Sequence, residues 1–163
     1  METLVIFLAS RLHIVVVVIA LLIFLYATKS QKIKLAVTIV LAAPFSYILG
    51  KLASMLYVTE RPFVELGIAP LVPHVADNGF PSEHTLYALV IAGAVSIVNK
   101  RWGTVLAALA VLVGVGRILA NVHHVIDVAG SVLIAIVVVY LVSKLRTFDQ
   151  NGLSFRPIKL FTD

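Results

Sequence analysis

Three short groups of polar residues interrupt a strongly apolar chain and combine side chains that are suited to phosphate chemistry. The groups are Arg61-Pro62, then Pro81-Ser82-Glu83-His84, and finally Arg117 with His123 and Asp127. Arginine presents a planar fork that binds phosphate oxygens in pairs, and it stays charged at any working pH. Ionisable groups that sit among membrane-length apolar runs are costly, so such a set is a functional hypothesis by default.

The two histidines of these groups are suited to different roles. His123 and Asp127 are four residues apart, a spacing that places both side chains on one face of a helix. A carboxylate there can hold one imidazole nitrogen protonated and leave the other free as a nucleophile. His84 is then available as a general acid for a departing oxygen. A metal site is the alternative, because these three residues could supply three ligands.

The pair Pro81-Ser82 is predicted to open a helix, since proline suits a first turn. A helix start presents free N–H groups and a positive dipole end to an anion, and the Ser82 hydroxyl would add a donor. Glu83 is a further candidate for this site, although the helix dipole alone explains an acid there. Lys51 is either a site residue or a snorkelling cation.

The composition indicates a membrane protein. The chain is 61% hydrophobic and 13% charged, whereas a soluble chain is roughly half apolar and about a quarter charged. The absence of cysteine excludes disulfides, thiolate catalysis and cysteine zinc sites. The net charge of +5 does not indicate nucleic acid, because the basic residues form no face with interleaved aromatic side chains.

Five apolar runs predict an all-α, polytopic bundle of about five transmembrane helices in a single domain, residues 1–163. The prolines and glycines of residues 59–82 predict an ordered loop that carries part of the site, and residues 143–163 are predicted to form a cytoplasmic tail. The predicted spans are residues 4–28, 33–58, 83–98, 102–120 and 124–142.

The distribution of Lys and Arg predicts the orientation of these spans. Nine of the thirteen lie in two connections and the C-terminal tail, which the positive-inside rule assigns to the cytoplasm: Lys29, Lys32, Lys34, Lys100, Arg101, Lys144, Arg146, Arg156 and Lys159. The loop that carries the site is then on the extracytoplasmic side of the plasma membrane.

These residues resemble the three signature motifs of the type-2 phosphatidic acid phosphatase superfamily. The motifs appear as Arg61-Pro62, Pro81-Ser82-x-His84 and Arg117-x5-His123-x3-Asp127, in that order. The wider stretch 74–84 and the five-span layout resemble the bacterial undecaprenyl-diphosphate phosphatase branch, and the resemblance covers about residues 30–140.

The resemblance implies a phosphatase that needs neither a metal nor a cofactor. His123 would attack phosphorus to form a phosphohistidine, Asp127 would orient it, and His84 would protonate the leaving lipid phosphate. The phosphoryl oxygens would be held by Arg61, Ser82 and Arg117. The implied substrate is a polyprenyl diphosphate, in particular undecaprenyl diphosphate, whose hydrolysis would recycle the carrier lipid of cell-envelope synthesis.

The sequence departs from the superfamily pattern at three places. Ser54 stands where the family has a lysine, seven residues before the motif arginine, and the nearest lysine is Lys51. Glu83 replaces a commoner glycine or aspartate. Gly116 replaces the serine that usually precedes the arginine of the third motif, which removes one hydroxyl contact to phosphate.

Other functions remain open at this stage. Phosphatidylglycerophosphate or phosphatidic acid could be the substrate, and the vanadate-dependent haloperoxidases share the arginine and histidine constellation. A non-catalytic membrane protein with an anion site is a third alternative. The remaining polar residues are interpreted as anchoring residues (Arg11 and His13) or as loop-folding and interface residues (His74, Asp77, Asn78 and His124).

Overall fold

A computed structural model of the protein describes residues 1–145, and they form an all-helical bundle, as the sequence predicts. Residues 146–163, which make up most of the predicted tail, lie outside the described residues. The helices are α1 Glu2–Ser10, α2 Leu12–Tyr26, α3 Lys29–Leu56, α4 Pro62–Glu65, α5 Glu83–Ser96, α6 Lys100–Leu119 and α7 Val125–Leu145.

Helix α5 is the centre of the bundle and packs against α2, α3, α6 and α7. Seven of its fourteen residues are buried, most of them small or β-branched, so that the neighbouring helices approach closely. The outward faces of the other helices carry many exposed large apolar side chains. Such a surface is unfavourable in water and suits a bilayer.

Two caps define where helices begin at one end of the bundle. Thr28 and Gln31 form a capping box at the start of α3, and the Asn99 side chain accepts from the backbone N–H of Trp102 at the start of α6. Each cap satisfies N–H groups that have no partner within the helix. Both helices begin with a lysine, so this basic end of the bundle is opposite to the end at which α5 and α7 begin.

Three of the described helices are long and apolar enough to cross a membrane: Lys29–Leu56, Lys100–Leu119 and Val125–Lys144. The bent pair α1–α2 makes a fourth if it counts as one span. Helix α5 has 14 residues, about 21 Å at the usual rise per residue, which is short of the roughly 30 Å of hydrocarbon. The count of five spans therefore stays a prediction.

The first apolar run differs from the continuous span predicted for residues 4–28. It is broken at Arg11, where α1 and α2 meet at an angle of 49°. Arg11 has φ −122° and ψ −30°, outside helical geometry. The break allows α1 to lie along α6, against which it packs, while α2 continues along α5.

The segment between α3 and α5 is fastened to the connection between α6 and α7 by backbone hydrogen bonds. The N–H of Phe63 donates to the Asn121 carbonyl at 3.0 Å, and the N–H of Leu71 donates to the Ala120 carbonyl at 3.3 Å. Asn121 adopts φ 58°, a left-handed conformation that asparagine tolerates better than most residues. The first, second and third motifs are thereby brought to one end of the bundle.

Candidate active site

A cavity of about 260 Å³ lies between α3, α5, the long loop and the connection before α7. It brings together five of the predicted site residues, Lys51, Arg61, Glu83, His84 and His123, although they are spread over 73 positions of the chain. Its other polar lining residues include Ser54, His74, Asp77 and Asn78.

His123 and Asp127 form a buried pair, as their spacing predicts, but not on a single helix. His123 lies in the connection before α7, which begins at Val125. Its Nδ1 is 3.4 Å from Oδ2 of Asp127. That carboxylate also accepts from the Thr59 hydroxyl at 2.7 Å and from the backbone N–H of His124 at 2.8 Å. The contacts fix the carboxylate, which in turn favours the proton on Nδ1 of His123.

The other ring nitrogen of His123 faces Arg61, with Nη1 of the guanidinium 3.4 Å from Nε2. Burial lowers the pKa of His123 below its ordinary value, with help from the charges of Arg117 and Arg61, and outweighs the hydrogen bond that His123 donates to Asp127, which acts to raise it. The imidazole is therefore neutral at pH 7. Its Nε2 lone pair can act as a nucleophile.

The Arg61 guanidinium is buried, and each of its three nitrogens has a partner. Nε and Nη2 lie 2.8 and 2.7 Å from Oδ1 of Asp77, and Nη1 donates to the Val122 carbonyl at 2.8 Å. Burial acts to raise the pKa of Asp77, but the hydrogen bond and charge of Arg61 outweigh it and hold that pKa below its ordinary value. Asp77 is thus an ion-pair partner of the first motif.

Arg117 is also buried, but its guanidinium is incompletely paired. Nη1 donates to the Ala9 carbonyl at 3.3 Å, while Nε and Nη2 have no hydrogen-bond partner among the described residues. Arg117 does not line the cavity directly. Burial, together with the nearby charges of Arg61 and Arg117, lowers the pKa of His74 to about 4, so His74 is neutral at pH 7 and adds no charge to the cavity wall.

Ser82 precedes α5 as its N-cap, and Pro81 lies outside the helix rather than in its first turn, where we placed it from the sequence. The Ser82 hydroxyl is fully buried and lies 3.0 Å from the Thr85 hydroxyl. It does not line the cavity. The backbone N–H of Ser82 donates to the Asp127 carbonyl at 3.3 Å, which joins the second and third motifs.

Lys51 lines the cavity despite its departure from the family spacing. Its Nζ lies 3.5 Å from Oε1 of Glu83, and both side chains are more than half exposed. The pair connects α3 to α5. An exposed pair of this kind contributes little to stability. Because both side chains are exposed, both charges are accessible to a ligand.

Two groups of contacts were not foreseen from the sequence. Thr59 could not be identified as a site residue from the sequence, because its hydrogen-bond partner, Asp127, is 68 positions away in the chain. His13 was interpreted as an anchoring residue, yet its ring contacts His84. For the metal alternative, no group of three His, Asp or Glu side chains within residues 1–145 has an arrangement that could hold an ion.

The helical bundle thus gathers Arg61, His84 and His123, one residue from each of the three motifs, around one cavity. The PAP2 superfamily profile matches residues 31–150, about three quarters of the chain. The chain belongs to the PAP2 superfamily.

Individual relatives agree with this assignment. Undecaprenyl-diphosphatase BcrC of Bacillus subtilis is 37% identical over 94 residues, which are 58% of this chain and 49% of that protein. Bacitracin transport permease protein BcrC of Bacillus licheniformis is 33% identical over 117 residues, 71% of this chain and 58% of the relative. The chain thus aligns with only about half the length of these two relatives.

Two further likenesses cover more of both proteins. Putative undecaprenyl-diphosphatase YbjG of Escherichia coli is 31% identical over 137 residues, 82% of this chain and 67% of that protein. The crystal structure of Aquifex aeolicus LpxE superposes with a TM-score of 0.67 and 26% identity, covering 88% of this chain and 83% of that one. The arrangement of helices described above is therefore that of a known fold.

Proposed function

We propose that the protein hydrolyses the terminal phosphate of a polyprenyl diphosphate, undecaprenyl diphosphate, and releases undecaprenyl phosphate. The observation that carries the proposal is the position of Arg61 Nη1, 3.4 Å from Nε2 of His123. A phosphorus atom in line for attack by Nε2 would have its oxygens within reach of that guanidinium. Two relatives named as undecaprenyl-diphosphatases support the choice of lipid.

In the first step, Nε2 of His123 attacks the terminal phosphorus and forms a P–N bond. The bond between that phosphorus and the bridging oxygen breaks, and its electron pair goes to the oxygen. Protonated His84 gives its proton to this oxygen, so undecaprenyl phosphate leaves. The Asp127 carboxylate, held by Thr59, stabilises the positive charge that develops on the His123 ring.

In the second step, neutral His84 takes a proton from a water molecule, whose oxygen attacks the phosphorus. The P–N bond breaks, its electron pair returns to Nε2 of His123, and inorganic phosphate is released. His84 has then regained the proton that it gave away. Arg61 and the unpartnered donors of Arg117 would hold the phosphoryl oxygens through both steps, and we assign Ser82 the same role through rotation of its hydroxyl.

The site is proposed to face the extracytoplasmic side of the plasma membrane. The cavity lies at the end of the bundle formed by the end of α3 and the starts of α5 and α7. Lys29, Lys32, Lys34, Lys100 and Lys144 lie at the other helix ends. The positive-inside rule assigns that basic end to the cytoplasm.

Phosphate release by the detergent-purified protein tests the proposed function. We expect turnover with undecaprenyl diphosphate, and slower turnover with phosphatidylglycerophosphate and phosphatidic acid, at saturating substrate. A reversed ranking would replace the proposed substrate by the favoured lipid. A folded protein that binds these lipids without releasing phosphate would instead support the non-catalytic alternative.

The same assay in excess EDTA tests the metal alternative. We expect the rate to be unchanged, because His123, Asp127 and His84 are assigned to nucleophile, orientation and acid rather than to metal ligation. Inhibition that added zinc reverses would contradict this assignment. Bromide oxidation with added vanadate, measured on the same preparation, would support the haloperoxidase alternative.

Replacement of Arg117 by lysine is expected to lower kcat/KM about 10- to 100-fold, because an ammonium cannot present the two parallel N–H donors of a guanidinium. The lysine keeps the charge, so the loss reports on donor geometry. Arg101→Lys, a change at an exposed residue of the opposite end, is the matched control. Equal activity of the two variants would remove Arg117 from the phosphate site.

A further inference from the structure

The helices before the family-matched segment contact two of its motif residues. The profile match begins at residue 31, so α1 and α2 precede it entirely. Nevertheless, the Ala9 carbonyl accepts from Arg117 of the third motif, and the His13 ring contacts His84 of the second. These two contacts flank the break at Arg11.

The last turn of α1, just before the break, packs closely against α6. A Cβ atom at Gly116 would lie 2.6 Å from Cβ of Leu8 and 2.7 Å from the backbone nitrogen of Ala9. No residue with a side chain fits there without a shift of the backbone. Glycine in place of the family's serine therefore permits the approach that brings the Ala9 carbonyl to Arg117.

His13 is placed against the ring of His84 by the same break. The two ring centroids are 4.7 Å apart and the ring planes are at 86°, an edge-to-face contact. Nδ1 of His13 is buried without a hydrogen-bond partner among the described residues. An unpartnered polar atom costs free energy, so ordinary core packing does not account for a histidine at this position.

His84 stands between two cavities. One is the cavity of 260 Å³ that contains His123, and the other, of about 230 Å³, is lined by His13, Val17 and Ile91 as well as by His84. The imidazole of His84 thus has open space on two sides. The ring of His13, in edge-to-face contact with that of His84, lies on the side of the second cavity.

We propose that His13 is a positioning residue for the general acid His84, and that the break at Arg11 is part of the active site. The proposal rests on the function proposed above. A proton donor that is free to turn toward the second cavity would spend less time aimed at the bridging oxygen, and small errors of aim reduce rates strongly. The ring of His13 therefore contributes to kcat and not to substrate affinity.

The test compares kcat and KM for undecaprenyl diphosphate in purified variants. We expect His13→Ala to lower kcat about tenfold, less than the roughly 10²- to 10⁴-fold that general acid catalysis contributes as a whole, and to leave KM within about twofold. His13→Phe retains the ring edge and is expected to recover most of that loss. Ile14→Ala, at an exposed position of the same helical turn, is the matched control and should behave as wild type.

A double-variant comparison separates positioning from general loosening of the bundle. In a His84→Ala background, His13→Ala is expected to change kcat by less than about twofold, because a residue that acts through His84 has no effect once His84 is absent. An equal tenfold loss in both backgrounds, an unchanged kcat in His13→Ala, or failure of His13→Phe to recover activity overturns the proposal. If His13→Ala does not fold, His13→Leu takes its place in the comparison.

The wild type and His123→Ala measured in parallel distinguish the two proposals. Wild-type release that is lost in His123→Ala, together with a fully active His13→Ala, overturns the role of His13 alone. No release from the folded wild type overturns the proposed function and the role of His13 with it.

Discussion

His123→Ala is expected to abolish phosphate release, with a loss of about 10⁴-fold or more, because the substitution removes the proposed nucleophile and leaves no covalent route. The side chain is buried and lies 3.4 Å from both Asp127 and Arg61. The measurement is initial-rate phosphate release from undecaprenyl diphosphate. Size-exclusion elution and thermal unfolding check that the variant is folded.

The neighbouring histidine provides a control of the same residue type. The His124 side chain points to Glu65, with Nε2 and Oε2 3.3 Å apart, and does not line the cavity. We expect His124→Ala to retain activity within about threefold, because the side chain lies outside the cavity and substitutions away from special features change stability only slightly. A His123→Ala variant as active as His124→Ala would remove His123 from the mechanism.

The covalent intermediate itself can be trapped. Undecaprenyl diphosphate labelled in its terminal phosphate, mixed with protein and quenched within milliseconds in alkaline detergent, should label the wild type but not His123→Ala. Phosphohistidine is stable to base and labile to acid, so brief acid treatment should release the label. Turnover without labelling at any quench time would favour direct attack by water.

Asp127→Asn is expected to lower kcat by about 10³- to 10⁴-fold, comparable with the loss when the carboxylate of a catalytic triad is replaced by an amide. The amide nitrogen replaces one of the two oxygens, and in the place of Oδ2 it turns an N–H toward the backbone N–H of His124, from which the carboxylate accepts. It would also favour the tautomer of His123 with its proton on Nε2, which cannot attack. The measurement is kcat at saturating substrate.

Thr59→Val is the matched control for Asp127→Asn. It removes the 2.7 Å hydrogen bond but keeps the charge that orients His123, so the expected loss is about tenfold or less for one supporting hydrogen bond. An Asp127→Asn variant no worse than Thr59→Val would contradict the orienting role. In that case the carboxylate would serve only to anchor the loop.

Much of the fold was predictable because hydropathy and helix punctuation are local properties. The helices α3, α5, α6 and α7 begin and end within a few residues of the predicted runs. The long loop follows from its prolines and glycines. The Lys and Arg distribution predicts that Arg61, His84 and His123 lie on one side of the membrane, and the resemblance of their motifs to a family predicts that they converge. No local signal relates residues that are 23 to 62 positions apart.

The remaining features depend on tertiary contacts that leave no trace in residue type or spacing. The break at Arg11 interrupts a long apolar run of the sequence, and it lets α1 dock against Gly116 of α6. Thr59 and His13 acquire their partners only when distant helices pack. The position of Lys51 beside the cavity follows from the direction of α3, which the spacing to Arg61 left undecided.

One side-chain amide, that of Asn78, joins the two ends of the loop that carries Arg61 and Asp77. Oδ1 of Asn78 accepts from the backbone N–H groups of Thr59 and Phe80, and its Nδ2 donates to the carbonyls of Ser54 and Tyr57. Four hydrogen bonds from one side chain mean that the conformational entropy of this loop is lost when the chain folds. Under the proposed function, a phosphate that enters the cavity would meet the Arg61 guanidinium already in place, and its binding free energy would not be consumed in ordering the loop.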